Sequence, residues 1–153
     1  PVLSSAASDV YKRQIRKVPD IPGIAAKILD PISSKGIEVD IIIQNVSEDK
    51  TTDFTFTVKR EKSQETKKIL SNLSKEFGGG EIELNEDISK VSLVGVGMKS
   101  HAGVAATMFK TLAEKNINIE MISTSEIKIS VVVKEDLAHE AVKSLHDAFN
   151  LEK

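Results

Sequence analysis

The sequence of 153 residues has no cysteine, no tryptophan and one tyrosine. Without cysteine there is no disulfide framework, no thiolate metal site and no thiol chemistry. Aromatic residues make up only 4% of the chain, too few for a platform that stacks bases or sugars. A dominant charge is missing too: 21 basic residues face 23 acidic ones, for a net charge of −2. That balance argues against a nucleic-acid or anionic-membrane partner. No apolar run reaches the roughly 18 residues that a membrane-spanning helix needs. What is present is 40% hydrophobic and 29% charged residues, the mix of a soluble globular protein, expected in the cytoplasm.

The first 14 residues, PVLSSAASDVYKRQ, differ from the rest. They are rich in Ala and Ser, show neither helical nor strand periodicity, and lack the apolar stretch of a secretory signal. SSAASDVYKRQ also resembles translated adapter sequence. Residues 1–14 are therefore expected to be a non-native or disordered leader.

From Ile15 onward the chain repeats itself. A shift of 80 residues superposes GIAAKI on GVAATM, and pairs Gly23, Ala25, Ala26, Lys35, Ile37 and Ile42 with Gly103, Ala105, Ala106, Lys115, Ile117 and Ile122. Each copy reads as a short strand (15–18; 91–96), a turn and an amphipathic helix (23–35; 102–115). Ile24, Ile28 and Ile32 share one helix face in the first copy, and Val104, Met108 and Leu112 in the second. Pro22 suits a first helical turn, whereas Pro31 is expected to kink or shorten its helix. An apolar strand follows (37–46; 117–124), then a hairpin partner (FTFTV; IKISVVV) and a second helix (64–77; 137–149). Alternating EIEL closes the first copy as a fourth strand. The order βαββαβ predicts an α+β fold: two ferredoxin-like units, each an antiparallel four-stranded sheet with helices on one face. The first unit is expected over residues 15–85 and the second over 86–153. After Phe149 too little chain remains for a fourth strand in the second unit, so that strand is missing, or supplied by the amino-terminal segment or by another chain.

Most chemical motifs dissolve on inspection. His101, His139 and His146 have no spacing suited to a metal. FGGGE follows a helix and precedes a strand, which is helix termination rather than a phosphate loop. GVGMKS sits between strand and helix but has Ser100 where a third glycine would be needed. Phe54 and Phe56, two apart on a strand, look like the aromatics of an RNA-binding sheet. Their repeat partners Ile129 and Val131 cannot stack on bases, so both phenylalanines are expected in the core. The turn Asp20-Ile21-Pro22-Gly23 says more. It places a carboxylate beside the free amides of a helix start, a pairing that matches the ammonium and carboxylate of a free amino acid. Gly23 would allow close approach to the backbone. Asp20 could equally cap its own helix.

VPDIPGIAAKI, IIIQNVSEDKTTDFTFTV, KVSLVGVGMKSHAGVAATMF, NINIEMISTSEIKISVVV and LHDAF strongly resemble the paired ACT domains of aspartokinases, over about Ile15–Leu151. The resemblance implies a regulatory, β-subunit-like region that senses lysine, threonine or both and mediates feedback inhibition of aspartate phosphorylation. It implies an effector site of Asp20, Gly23, Ile24, Ala25 and Gln44 with Asn118 and Ile119. It also implies a second, related set of Asp40, Ala105, Ser123, Ser125 and Glu126. Ser47, Thr52 and Thr55 match positions whose substitution relieves feedback. Lys50 stands where the family often has glycine. No catalytic residue and no metal ligand is expected: the kinase motif has no counterpart here, and ATP and magnesium belong to that kinase region. The implied partners are the amino acid, a second ACT-bearing chain in a homodimer, and the catalytic region. The alternative is an ACT-type oligomerisation module that binds nothing.

Overall fold

The computed structural model describes residues 3–78, 81–95 and 101–149. The elements are β1 (Leu3–Pro19), α1 (Ile24–Ser34), β2 (Val39–Val46), β3 (Thr51–Lys59), α2 (Ser63–Glu76), β4 (Glu81–Gly95), α3 (His101–Glu114), β5 (Met121–Thr124), β6 (Lys128–Lys134) and α4 (Ala138–Phe149). A single 3₁₀ turn introduces each second helix, at Arg60–Lys62 and Glu135–Leu137. The chain divides into two compact units. One is Val10–Glu86, and the other combines Pro1–Asp9 with Asp87–Lys153.

In the unit of residues 10–86 the strand order is β2-β3-β1-β4. Its core gathers Ile24, Ile28 and Ile32 of α1, Leu70 and Leu73 of α2, and Ile15, Phe54 and Phe56 of the sheet. The apolar face foreseen for α1 is thus the face it buries. Phe54 and Phe56 are fully buried, with ring centroids 6.2 Å apart, as core side chains. In the other unit β4, β6 and β5 follow one another in the sheet, and β1 is the neighbour of β4. Met108 and Leu112 of α3 and Leu145 of α4 close over Val91, Leu93, Ile129 and Val131. Both units have the α+β, ferredoxin-like build read from the sequence.

The repeat extends to details of the backbone. Gly36 and Asn116, 80 residues apart, both adopt left-handed φ, 71° and 58°. Each ends its helix in the same way. Gly36 donates to Ser33 O and Ile37 to Ile32 O, and Asn116 donates to Ala113 O and Ile117 to Leu112 O. This is the helix-stop motif in which a left-handed residue satisfies the last carbonyls. Because α1 and α3 stop at equivalent residues, Ser34 and Glu114, Pro31 does not shorten its helix.

The amino-terminal expectation is corrected. Strand β1 begins at Leu3 rather than Ile15, so most of the supposed leader is strand. Val10 is buried, and Arg13 is fully buried with its guanidinium 3.0 Å from Glu86 Oε1. Burial pulls the Arg13 pKa down, and the Glu86 pair opposes that shift. Arg13 and Arg60 each lie 5.5 Å from the Tyr11 ring centroid, a cation–π arrangement. The compact units divide at 9/10 and 86/87, beside the 14/15 and 85/86 read from the sequence. The second boundary falls within β4, which merges the fourth strand of one copy with the first strand of the next.

Candidate functional site

The turn that leads into α1 is built from the backbone outward. The Asp20 amide donates to Lys50 O at 3.0 Å, and Ile21 donates to Pro19 O at 3.1 Å. Pro22 precedes the helix N-cap, Gly23, whose φ of +88° lies in the left-handed region. A Cβ at Gly23 would meet nothing within 4 Å, so conformation, not space, calls for glycine there. No side-chain cap hydrogen bond closes this helix start, and its first turn holds no acidic residue. Asp20 is therefore not used as a cap. Its side chain is exposed beside a helix start whose first amides have no intrahelical acceptor.

Ile24 is buried and Ala25 packs against the same core, so these two fix the helix while Asp20 and Gly23 face solvent. In the same unit Gln44 is exposed on β2, opposite Phe54 of β3. Asn118 and Ile119 belong to the other unit, in the segment before β5, where Asn118 is exposed and Ile119 packs on that unit's core.

The hairpin loop between β2 and β3 lies against the turn. Ser47 donates to Thr51 O at 2.9 Å, and the Asp49 carboxylate accepts both the amide and the hydroxyl of Thr51. Those two bonds hold the Asp49 carboxyl below its ordinary pKa, although the group is fully exposed. Lys50 takes a φ of 64°, which explains why glycine suits this position. Ser47 is exposed, whereas Thr52 and Thr55 are buried. The Thr52 hydroxyl donates to Asn45 O, and Thr55 Oγ1 accepts from Gln14 Nε2 at 2.8 Å.

Of the second set, Ala105, Ser125 and Glu126 line one cavity of about 350 Å³ together with Ala102 and Thr124. Ser123 is half-buried on β5. Asp40 belongs to the unit of residues 10–86. Residues 96–100 of GVGMKS, and Gly79 and Gly80 of FGGGE, lie outside the described residues. Among the described residues no group of acidic, histidine or cysteine side chains could hold a metal ion. His139 is exposed, while His146 is half-buried with its Nδ1 shielded from solvent and unpartnered. Sequence reasoning missed Arg16, Lys17 and Asp53 beside the turn; the two-for-one strand pairing that joins them depends on register.

Two models described as ACT domain match this chain, at residues 13–78 and 91–149. Aspartate kinase of Pseudomonas fluorescens is 56% identical over 154 residues, covering 99% of this chain and 37% of that protein. Aspartokinase of Helicobacter pylori is 44% identical, covering 100% of this chain and 38% of that protein. The chain thus spans little more than a third of the length of these relatives. Among solved structures, the crystal structure of aspartokinase alpha and beta subunits superposes with a TM-score of 0.89 at 47% identity, covering 99% of this chain and 100% of that one. The ligand-free regulatory subunit of aspartate kinase from Thermus thermophilus gives 0.88 at 42% identity, covering 95% and 96%.

Proposed function

Because the chain belongs to the tandem ACT regulatory region of aspartokinases, we propose that it binds lysine, threonine or both and carries feedback inhibition to the kinase. The observation that carries this reading is the exposed Asp20 carboxylate beside an uncapped helix start. A free amino acid complements both halves. Its carboxylate meets the amides of α1 just beyond Ile24, whose own amide donates to Ile21 O; the helix dipole there favours negative charge. Its ammonium meets Asp20. Gly23 leaves the backbone open to it. Gln44 from β2 belongs to the same set that the family resemblance implies. The cavity at Ala105, Ser125 and Glu126 is the counterpart for the second set.

Effector binding shifts a kinase equilibrium through a coupling free energy, commonly about 1–3 kcal/mol. Aspartate phosphorylation itself, with its ATP and magnesium, belongs to the catalytic region with which this chain works. We place the protein in the cytoplasm, where that region meets its nucleotide.

A second copy is the proposed structural partner. Ile42 on β2 and Ile122 on β5 are repeat equivalents, and each is about half exposed, at 48% and 46%. Apolar side chains at matching positions suit a face shared between ACT-bearing chains.

The test is calorimetric titration of the chain and its Asp20→Ala variant with lysine and threonine. Asp20 is exposed, so the variant is expected to fold normally and to bind at least tenfold more weakly, the loss of one charged hydrogen bond. Unchanged titrations in a folded variant would refute the assignment. A wild-type chain that binds neither amino acid yet sediments as a dimer would favour the pure assembly module.

A further inference from the structure

Resting on the effector reading above, we propose that Asp53 is a positioning residue for the Asp20–Ala25 turn, its carboxylate holding the bulge that sets how β1 enters the turn. Along β1 and β3, Ile15 stands opposite Phe54, but the next pair is Val18 opposite Thr52. Arg16 and Lys17 therefore share Asp53 as their single opposite residue, the two-for-one pairing of a β-bulge. Lys17 has a left-handed φ of 57°, a conformation that disfavours any residue with a Cβ.

A bulge leaves its extra residue outside the main-chain ladder. Here the Lys17 amide donates to Asp53 Oδ1 at 3.0 Å. The other carboxylate oxygen, Oδ2, lies 3.6 Å from Arg16 Nε. One side chain thus satisfies both bulged residues. Arg16 is steadied from the far side by Glu83 Oε1 of β4, at 2.9 Å.

The bulge advances β1 by one residue for the rest of its length. Val18 meets Thr52, Pro19 meets Thr51, and the Asp20 amide then reaches Lys50 O. Had the register of Ile15 and Phe54 continued unbroken, Pro19 would have come opposite Lys50. Proline has no N–H to donate, so the bond that ties the turn to the hairpin loop could not form. The extra residue brings a donor to that point and places Asp20 at the mouth of the helix.

The second unit supplies an internal control. There Leu93 pairs with Ile129 and Val94 with Lys128, and the Gly95 amide reaches Ile127 O. Through Gly95 the pairing runs one to one, with no bulge. At the repeat position of Asp53 that unit carries Lys128, which cannot accept a hydrogen bond.

The experiment compares the chain with Asp53→Ala, Asp53→Asn and the double variant Asp53→Ala/Lys17→Gly. Lysine and threonine are titrated by calorimetry, and the amides of Asp20 and Gly23 are followed by NMR. Asp53→Ala is expected to weaken effector binding about tenfold and to move both amide resonances. Asp53→Asn keeps an oxygen for the Lys17 amide and is expected to stay within about threefold of wild type. Glycine adopts positive φ freely, so the double variant is expected to recover most of the affinity that Asp53→Ala loses. A general loss of stability would not be repaired in that way. Should Asp53→Ala fail to fold, the double variant decides: recovery of the fold and of binding supports the proposal, and a double variant that stays unfolded or binds about tenfold more weakly overturns it. A folded Asp53→Ala variant with unmoved amides would overturn the proposal. If the wild-type chain binds neither amino acid, the effector reading fails, and the amide shifts alone decide the role of Asp53.

Discussion

The main-chain amide of Asp20 donates to the carbonyl of Lys50 across 3.0 Å, and this bond joins the turn before α1 to the loop between β2 and β3. The proposed effector site at the turn and the backbone strain in the loop are therefore one local system. Lys50 holds a φ of 64°, where a side chain costs roughly 1–2 kcal/mol. Lys50→Gly relieves that strain but adds freedom to the unfolded chain worth about 0.4–1 kcal/mol. The expected result is a gain of about 0.5 kcal/mol, read as a higher urea midpoint at an unchanged slope.

Acid should loosen the same loop. The Asp49 carboxylate accepts twice from Thr51, so its folded pKa lies below the ordinary aspartate range. A depressed carboxyl pKa contributes stability that is fully present above the unfolded value and is lost as pH falls through the folded one. The Thr51 amide is expected to hold its chemical shift at neutral pH and to move only below about pH 4. In Asp49→Asn that titration should disappear.

Phe56 is fully buried in the core beneath the helices. Phe56→Ala is expected to cost about 3–5 kcal/mol and to unfold much of the unit of residues 10–86 at ambient temperature. Phe56→Leu should cost less than about 1.5 kcal/mol. Circular dichroism melts distinguish the two. A base-stacking role for Phe56 would instead predict a well-folded alanine variant.

Ser92 and Ser130 face each other on β4 and β6, their hydroxyls 2.8 Å apart and buried. Removing one hydroxyl strands the other, at a cost of about 1–3 kcal/mol. Ser92→Ala/Ser130→Ala should be less destabilising than the sum of the single changes. A denaturant double-mutant cycle with no coupling would refute the pairing.

The fold was legible where the residue pattern is itself physical. Ile24, Ile28 and Ile32 sit at helical spacing and are all buried, and Phe54 and Phe56 match Ile129 and Val131 in burial as in repeat position. Strand β1 was legible only over Ile15–Val18 and not from Leu3 onward, for two reasons that can be named. Among its described side chains the buried ones are Val10, Arg13, Ile15 and Val18, and the bulge at Arg16 and Lys17 breaks the alternation after Ile15. Arg13 is buried with Glu86, far along the chain, accepting from its guanidinium, a partner that no local pattern announces. The continuity of β4 was hidden as well: the division at 85/86 lies one residue from that at 86/87, but a strand that serves two units has no composition change to show that EIEL and the strand after it are one.

At the site, the Asp20 turn stood out because a carboxylate, a proline and a glycine lie within four residues. Whether Asp20 would cap its own helix could not be read from that spacing, and the structure leaves the helix start without a side-chain cap. Asp53 gave no signal: an aspartate on a strand looks like any solvated charge until the register shows two residues facing it.

Gly36 and Asn116 end their helices with the same hydrogen bonds and nearly the same φ. Two copies of one unit have thus drifted apart in amino acid while keeping a dihedral angle. Residues that occupy left-handed space with little strain are favoured there, glycine first and asparagine next. What the duplication has handed down at this corner is a torsion, spelled with a different letter in each copy.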